Sequence, residues 1–259
     1  FIANMGALVE PLTKAEYNAK SKRVPPSLFA HNVMQRAMHT VHAQYASSNG
    51  VLGRVVKAIS KEQKDTSNNV VPPYSSYMYS LSGNQRMLEG AAPSHVPFII
   101  DKRHGVVRYS KYSTMKTKIE NISRSESESI FAETFSANLE TSLRQTENLG
   151  ALLKDVTLTT TFSDEDQVSQ QLNQVSKLIK LRQQLNSERD VFIITHGGYD
   201  THNDVGDVFK GKLDQINAGL DSFVKEMKDQ NIYENVVLVT TSDFGRTLTS
   251  NGQGTDHAW

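Results

Sequence analysis

There is no cysteine anywhere in the 259 residues. Disulfides, thiolate metal ligands and a cysteine nucleophile are therefore excluded, while the compartment stays open because many exported proteins also do without cysteine. An excess of charge of either sign is missing too: Lys plus Arg number 28, as do Asp plus Glu. No basic run interleaves with aromatics, so nothing marks a nucleic-acid surface. Long apolar runs are absent as well, none approaching the roughly 20 residues that span a bilayer. Neither an internal repeat nor a low-complexity tract is found. The Gly-x-Ser-x-Gly nucleophile elbow, the Walker phosphate loop and the His-Glu-x-x-His helix do not occur. The chain opens at Phe1 with no initiator Met and stops at Trp259, two residues after a candidate ligand. Both ends read as cut, and the expectation is a fragment or a mature piece.

What is present is enough chain for one large α/β domain or two smaller ones, with a substantial core. Phe1–Asn4 reads as a short strand, Val24-Pro25-Pro26 as a turn, and a helix is expected from about Ser27, which is placed to cap it. Residues 61–124 carry Ser, Asn, Gly and Pro clusters with short apolar pieces and read as an irregular insertion. Helical spacing of Ile130, Phe135, Leu139, Leu143 and Leu149 predicts a packing helix over about Glu126–Leu153, broken or bent at Gly150. Val168, Leu172, Val175 and Ile179 predict a second over about Asp166–Asn186.

The C-terminal unit has the clearest pattern. A Val/Ile-rich run at Val191–Ile194 is followed by the amphipathic stripe Phe209, Leu213, Ile216, Leu220, Phe223 and Met227, then by a second such run at Asn235–Thr241. Strand, helix and strand of this length predict a right-handed βαβ crossover with parallel strands covered on both faces. Loops leaving the carboxyl ends of parallel strands share one sheet edge, where sites are built.

Two groups of acids and imidazoles stand on those loops. Asp200 and His202 follow Gly197-Gly198, whose glycines let the backbone turn and approach a ligand closely. Asp243 leaves the second run directly, and Asp256-His257 arrives after a Gly-rich turn. Carboxylate and imidazole are hard and borderline ligands for divalent metals, and these five are more than one tetrahedral ion with an open position needs. The bland reading is Asx-type turns and helix caps. Arg246 carries a planar fork suited to the oxygen pair of a phosphate, sulfate or carboxylate, with a structural salt bridge as the alternative. Ser242, Thr247 and Thr255 are nearby hydroxyls without a nucleophile pattern. His31 is the more interesting of three histidines on the first long helix; His39 and His42 read as surface or packing residues. His196 could touch the site or bond the backbone, and His95 and His104 give no signal.

The stretches Phe192–His202 (FIITHGGYDTH), Thr241–Asn251 (TSDFGRTLTSN) and Gly254–Trp259 (GTDHAW) resemble the domain of unknown function family 1501, as do Phe1–Pro11 (FIANMGALVEP) and Leu28–Asn32 (LFAHN). That family is usually placed in the alkaline phosphatase and sulfatase superfamily. The resemblance implies a single domain over 1–259, a three-layer α/β/α sandwich with a mostly parallel sheet and the irregular insertion at 61–124. It also implies export, often by a twin-arginine signal. Asp200 and His202 look like one metal-ligand pair, Asp243 like the strand-end ligand of the other, and Asp256-His257 like the late histidine-bearing segment. Two positions depart from the pattern: Phe244 stands where the superfamily often has His, and Ala30 where Ser commonly precedes the early histidine.

The leading expectation is a metal-dependent hydrolase of phosphate or sulfate esters. Asp200, His202, Asp243, Asp256 and His257 would hold one or two divalent cations (zinc, magnesium, manganese or calcium), and Arg246 and His31 would serve the reaction. Its partner would be a small anionic ester, with no nucleic acid and no membrane span; oligomeric state is left open. A non-catalytic exported scaffold with a degenerate metal site is the alternative. A calcium-stabilised module is third, and it would leave His202 and His257 outside an all-oxygen shell.

Overall fold

The computed structural model describes residues 8–42, 49–59, 63–64, 70–71, 75–90, 96–123 and 128–258. The strand expected at Phe1–Asn4 and the residue His95 lie outside them. Among the described residues the chain is mixed α/β, with seven α-helices and a small parallel sheet.

The N-terminal part holds α1 (Lys14–Ala19), α2 (His31–Thr40) and α3 (Val51–Ile59). Thr13 and Glu16 close a reciprocal capping box on α1, which supports so short a helix. The helix expected from Ser27 starts instead at His31: Ser27 has φ +48°, so residues 27–30 form a turn, and Ala30 caps α2 without a side-chain bond. That shift places His31 on the first turn of α2.

A two-residue antiparallel pair, β1 (Gln63–Lys64) and β2 (Val70–Val71), precedes the main sheet. The sheet consists of β3 (Met78–Ser80), β4 (Phe98–Ile99) and β5 (Val191–Ile193), in the order β4-β3-β5 and parallel throughout. Two of its three strands thus come from the segment expected to be an insertion. Strands of two or three residues leave little periodicity to read, which is why the composition of 61–124 looked irregular. The register pairs Tyr79 with both Phe98 and Phe192. Their rings stack in a row, centroids 5.6 and 5.1 Å apart, on the face turned to the main core. On the other face Met78, Val191 and Ile193 pack with Val56 of α3 and Leu88. Asp190 pins this register by accepting from the Tyr77 backbone N–H at 2.8 Å.

Helices α4 (Tyr112–Ser123) and α5 (Ile130–Lys154) follow, and α5 runs through Gly150 without a break. Gly150 serves a close approach there, since a Cβ would collide with the Arg108 side chain. Only the last turns of α5 face the core, at Leu149 and Leu153. Its first half, expected to be a packing stripe, leaves Ile130, Phe131, Phe135 and Leu139 exposed. The centre of the molecule is α6 (Gln167–Lys180), in which ten of 14 residues are buried. Asp166 caps it by accepting from Ser169 N at 2.7 Å. Its buried glutamines are satisfied: Gln171 donates to Thr195 O at 2.9 Å and accepts from Thr195 N at 3.0 Å, as a neighbouring strand would. α7 (Val205–Asp229) packs along α6, with Gly219 close against Val168 and Phe223 and Met227 buried.

The second half of the expected βαβ unit differs. Val236 touches the core, but Val237, Leu238 and Val239 are exposed, and 237–241 join no ladder among the described residues. An apolar run encodes a preference for burial, whereas a strand also needs a partner for its backbone groups. Beyond it, β6 (Gly245–Arg246) and β7 (His257–Ala258) pair antiparallel. No described helix is long and apolar enough to cross a membrane.

Candidate metal centre

Four separate segments meet at one place. His31 opens α2, Asp200 and His202 sit in the loop after β5, Asp243 precedes β6, and Arg246, Asp256 and His257 belong to the β6–β7 hairpin. In that hairpin Arg246 pairs directly with His257, which directs both side chains to the same face. The hairpin docks on the Asp200 loop through backbone bonds, Thr255 N to Thr201 O at 3.0 Å and Asp204 N to Gln253 O at 3.0 Å. Gly254 makes this contact possible, because a Cβ there would overlap the His202 carbonyl.

Asp200 is the hub. Its Oδ1 lies 2.7 Å from Arg246 Nη1, 2.9 Å from His257 Nε2 and 3.0 Å from His202 Nε2, and its Oδ2 lies 3.3 Å from His31 Nε2. The hydrogen bond from His257 is the main reason its carboxyl is held down to about 2; burial opposes this, and the Arg246 bond and the His202 and His31 charges add to it. His202 Nε2 is also 3.1 Å from His257 Nε2.

The outer nitrogens of the three imidazoles are all engaged. His31 Nδ1 stands 2.6 Å from Asp243 Oδ2, His257 Nδ1 donates to Phe29 O at 2.9 Å, and His202 Nδ1 is 3.3 Å from Asp256 Oδ1. Asp256 accepts from Asn251 Nδ2 at 3.1 Å, and that bond is the main reason its carboxyl lies below the usual carboxylate value. Phe244 packs its ring on His31 and His257, centroids 4.5 and 4.3 Å away. Its ring thus forms an apolar wall behind two imidazoles.

One atom lacks what its neighbours have. His31 Nε2 is shut off from solvent and makes no hydrogen bond among the described residues, although it points toward Asp200. His31, Asp200 and His257 each offer a ligand atom, and these atoms lie within 4.8 Å of one another. A divalent cation would satisfy that nitrogen and the surrounding lone pairs together, so the three residues fit one.

The expected site residues Asp200, His202, Asp243, Arg246, Asp256, His257 and His31 are therefore assembled together. They divide, however, into groups that face the centre and groups that back them. Asp243 and Asp256, read from sequence as ligands, contact the Nδ1 side of His31 and of His202. The Arg246 fork is engaged, with Asp200, with Thr255 Oγ1 at 3.1 Å and with Thr255 O. The salt bridge to Asp200 is present in the structure. The hydroxyls are engaged as well: Ser242 donates to Phe244 O, and Thr247 to Thr249 O. His196 bonds Tyr199 and Gln215 side chains rather than the site or the backbone. His42 meets Arg54 and His104 meets Asp101, away from the centre. His39 is half-buried; burial lowers its pKa and the Asp243 charge opposes that.

Three contributors were missed from sequence. Gln35 Nε2 donates to Asp243 at 3.3 Å, and its position one helical turn after His31 was the available signal. Asn251 and the Phe29 carbonyl carry no comparable pattern.

The family model described as "Protein of unknown function (DUF1501)" matches residues 3–259, and the chain belongs to that family. No curated protein and no solved structure matches it.

Proposed function

We propose that this DUF1501 member is a metal-dependent hydrolase of phosphate or sulfate esters, related to the alkaline phosphatases, with His31, Asp200 and His257 holding a divalent cation. The observation that carries this is the convergence of those three ligand atoms within 4.8 Å, with His31 Nε2 otherwise unbonded. Two imidazoles and one carboxylate suit zinc or a neighbouring first-row ion better than calcium or magnesium, which favour all-oxygen shells. His202, whose Nε2 touches both Asp200 and His257, stands next in line as a ligand. A cation there supplies Lewis-acid polarisation of a phosphoryl or sulfuryl oxygen and activates water. Arg246, now paired with Asp200, is the residue whose fork suits the ester's anionic oxygens once that pairing loosens. The single hub around Asp200 favours one centre over two. A three-layer α/β/α sandwich and an exported protein belong to the same reading; helices covering both faces of the parallel sheet support the first.

The test is metal analysis of the purified protein, titration with zinc, manganese, magnesium and calcium, and turnover of aryl phosphate and aryl sulfate esters. Stoichiometric uptake is expected, with Asp200→Ala losing more than about 100-fold in cation affinity. Absence of uptake, or an unchanged Asp200→Ala variant, overturns the proposal. The engaged Arg246 favours a second reading, a non-catalytic scaffold that binds the cation; uptake without turnover of any ester would establish it.

A further inference from the structure

We infer that Asp243 is a positioning residue for His31, not a ligand. Its carboxylate accepts a hydrogen bond from His31 Nδ1–H and so presents Nε2, as a lone pair, to the cation. This rests on the metal-centre reading above and assigns the outer half of that centre.

The argument begins with donors and acceptors. A neutral imidazole has one N–H and one lone pair, and whichever nitrogen meets an obligate acceptor must carry the proton. Phe29 O can only accept, so His257 Nδ1 carries a proton; in the neutral ring, the form that binds a cation, Nε2 is then the lone pair, whereas without a cation Nε2 takes a second proton and donates to Asp200. The same logic applies to His31, whose Nδ1 faces Asp243 Oδ2 at 2.6 Å. Both Nε2 atoms then point at Asp200, itself an acceptor, at 2.9 and 3.3 Å. Lone pairs aimed at a carboxylate oxygen are stable only when a cation or an added proton stands among them. Orienting partners of this sort set ring direction and basicity in metal sites.

The placement of Asp243 fits this role. It is one-fifth exposed at the side chain, and Gln35 Nε2, from the same helix as His31, donates to the same Oδ2 at 3.3 Å. That oxygen is thus committed to α2. Phe244, the next residue, presses its ring on His31 and His257. Two adjacent residues therefore set one ring by a hydrogen bond and two rings by contact. The 27–30 turn completes the bracket, since Phe29 O directs His257 and His31 follows two residues later.

The decisive comparison uses Asp243→Asn, Asp243→Ala, Asp200→Asn and the unaltered protein. Long-range proton–nitrogen NMR of histidine rings in cation-free protein, at a pH where the rings are neutral, is expected to show His31 as the Nδ1–H tautomer. In Asp243→Ala it should shift toward Nε2–H. Zinc titration is expected to show about 10- to 100-fold weaker binding for Asp243→Ala. Asp243→Asn should lose only a few-fold, because the amide oxygen still accepts from Nδ1, whereas Asp200→Asn should lose far more. Cobalt-loaded Asp243→Asn should keep the visible bands of the unaltered protein. An Asp243→Asn loss as large as that of Asp200→Asn, or altered cobalt bands, makes Asp243 a ligand and overturns the inference. An unchanged His31 tautomer in Asp243→Ala does so too. If Asp243→Ala does not fold, the two asparagine variants decide. If the unaltered protein takes up no cation, the hydrolase proposal falls and the NMR comparison alone decides the positioning role.

Discussion

The α6–α7 body and the centre around Asp200 are built on opposite principles. In the body, Leu178, Val175, Leu172 and Phe223 are buried, and stability comes from apolar area removed from water, about 1.5–3 kcal/mol for each large side chain. In the centre, Asp200 and His202 are nearly half exposed and Asp256 more so, and the parts are held by hydrogen bonds and charge. Partly solvated pairs of that kind contribute little net stability. The body fixes where the loops start; the centre spends its polar groups on one another and on a prospective ligand. Folding and chemistry should accordingly fail separately.

Three substitutions test that separation, beginning with the most damaging. Leu178→Ala removes a fully buried side chain from the main core and should cost about 2–5 kcal/mol in denaturant unfolding. Zinc affinity of the folded fraction should stay within a few-fold, and a parallel collapse of affinity would show the two regions to be one. Gly254→Ala forces a methyl into the His202 carbonyl, so the hairpin must lift from the Asp200 loop. We expect about 1–3 kcal/mol of overpacking and a clear loss of cation affinity, with calorimetry and zinc titration as the paired readouts. A stable variant that binds as before would place the contact outside the centre's needs.

Glu226→Gln should have the smallest effect and sharpens the comparison from the body's side. Glu226 is buried and accepts from the backbone N–H groups of Thr159 and Thr160, at 3.0 and 2.8 Å, and from Gln230 Nε2. Burial alone would raise its pKa, but Gln230 and then Thr160 and Thr159 outweigh that and hold it below the ordinary value. A carboxyl depressed in the folded state contributes stability above its unfolded pKa, and that contribution disappears as pH falls through the folded value. Glu226→Gln should therefore cost about 1–2 kcal/mol at neutral pH, with the gap to the unaltered protein closing on acidification. A gap that is constant with pH would remove the charge from this account.

Legibility differed between the same two regions. The stripe Val168, Leu172, Val175, Ile179 and the run Val191–Ile193 were readable because burial leaves a period in the sequence. β3 and β4 were not, since two or three residues cannot display one. The first half of α5 and the run Val237–Val239 are apolar and periodic yet exposed, because pattern states what a segment would bury and not whether a neighbour arrives to bury it. In the centre, residue types and glycine-bearing loops made Asp200, His202, Asp243 and His257 visible. Their division into inward- and outward-facing partners was not.

Composition and spacing alone excluded thiol chemistry, drew α6, α7 and β5, and named an acid-and-imidazole set. Chain folding decided that His31 starts its helix at the centre, that Phe29 lends a carbonyl and Phe244 a ring, and that Asp200 is the shared oxygen. The reason is physical: hydrophobic periodicity is a local property of neighbouring residues. The direction in which an imidazole nitrogen points depends on acceptors brought from remote parts of the chain.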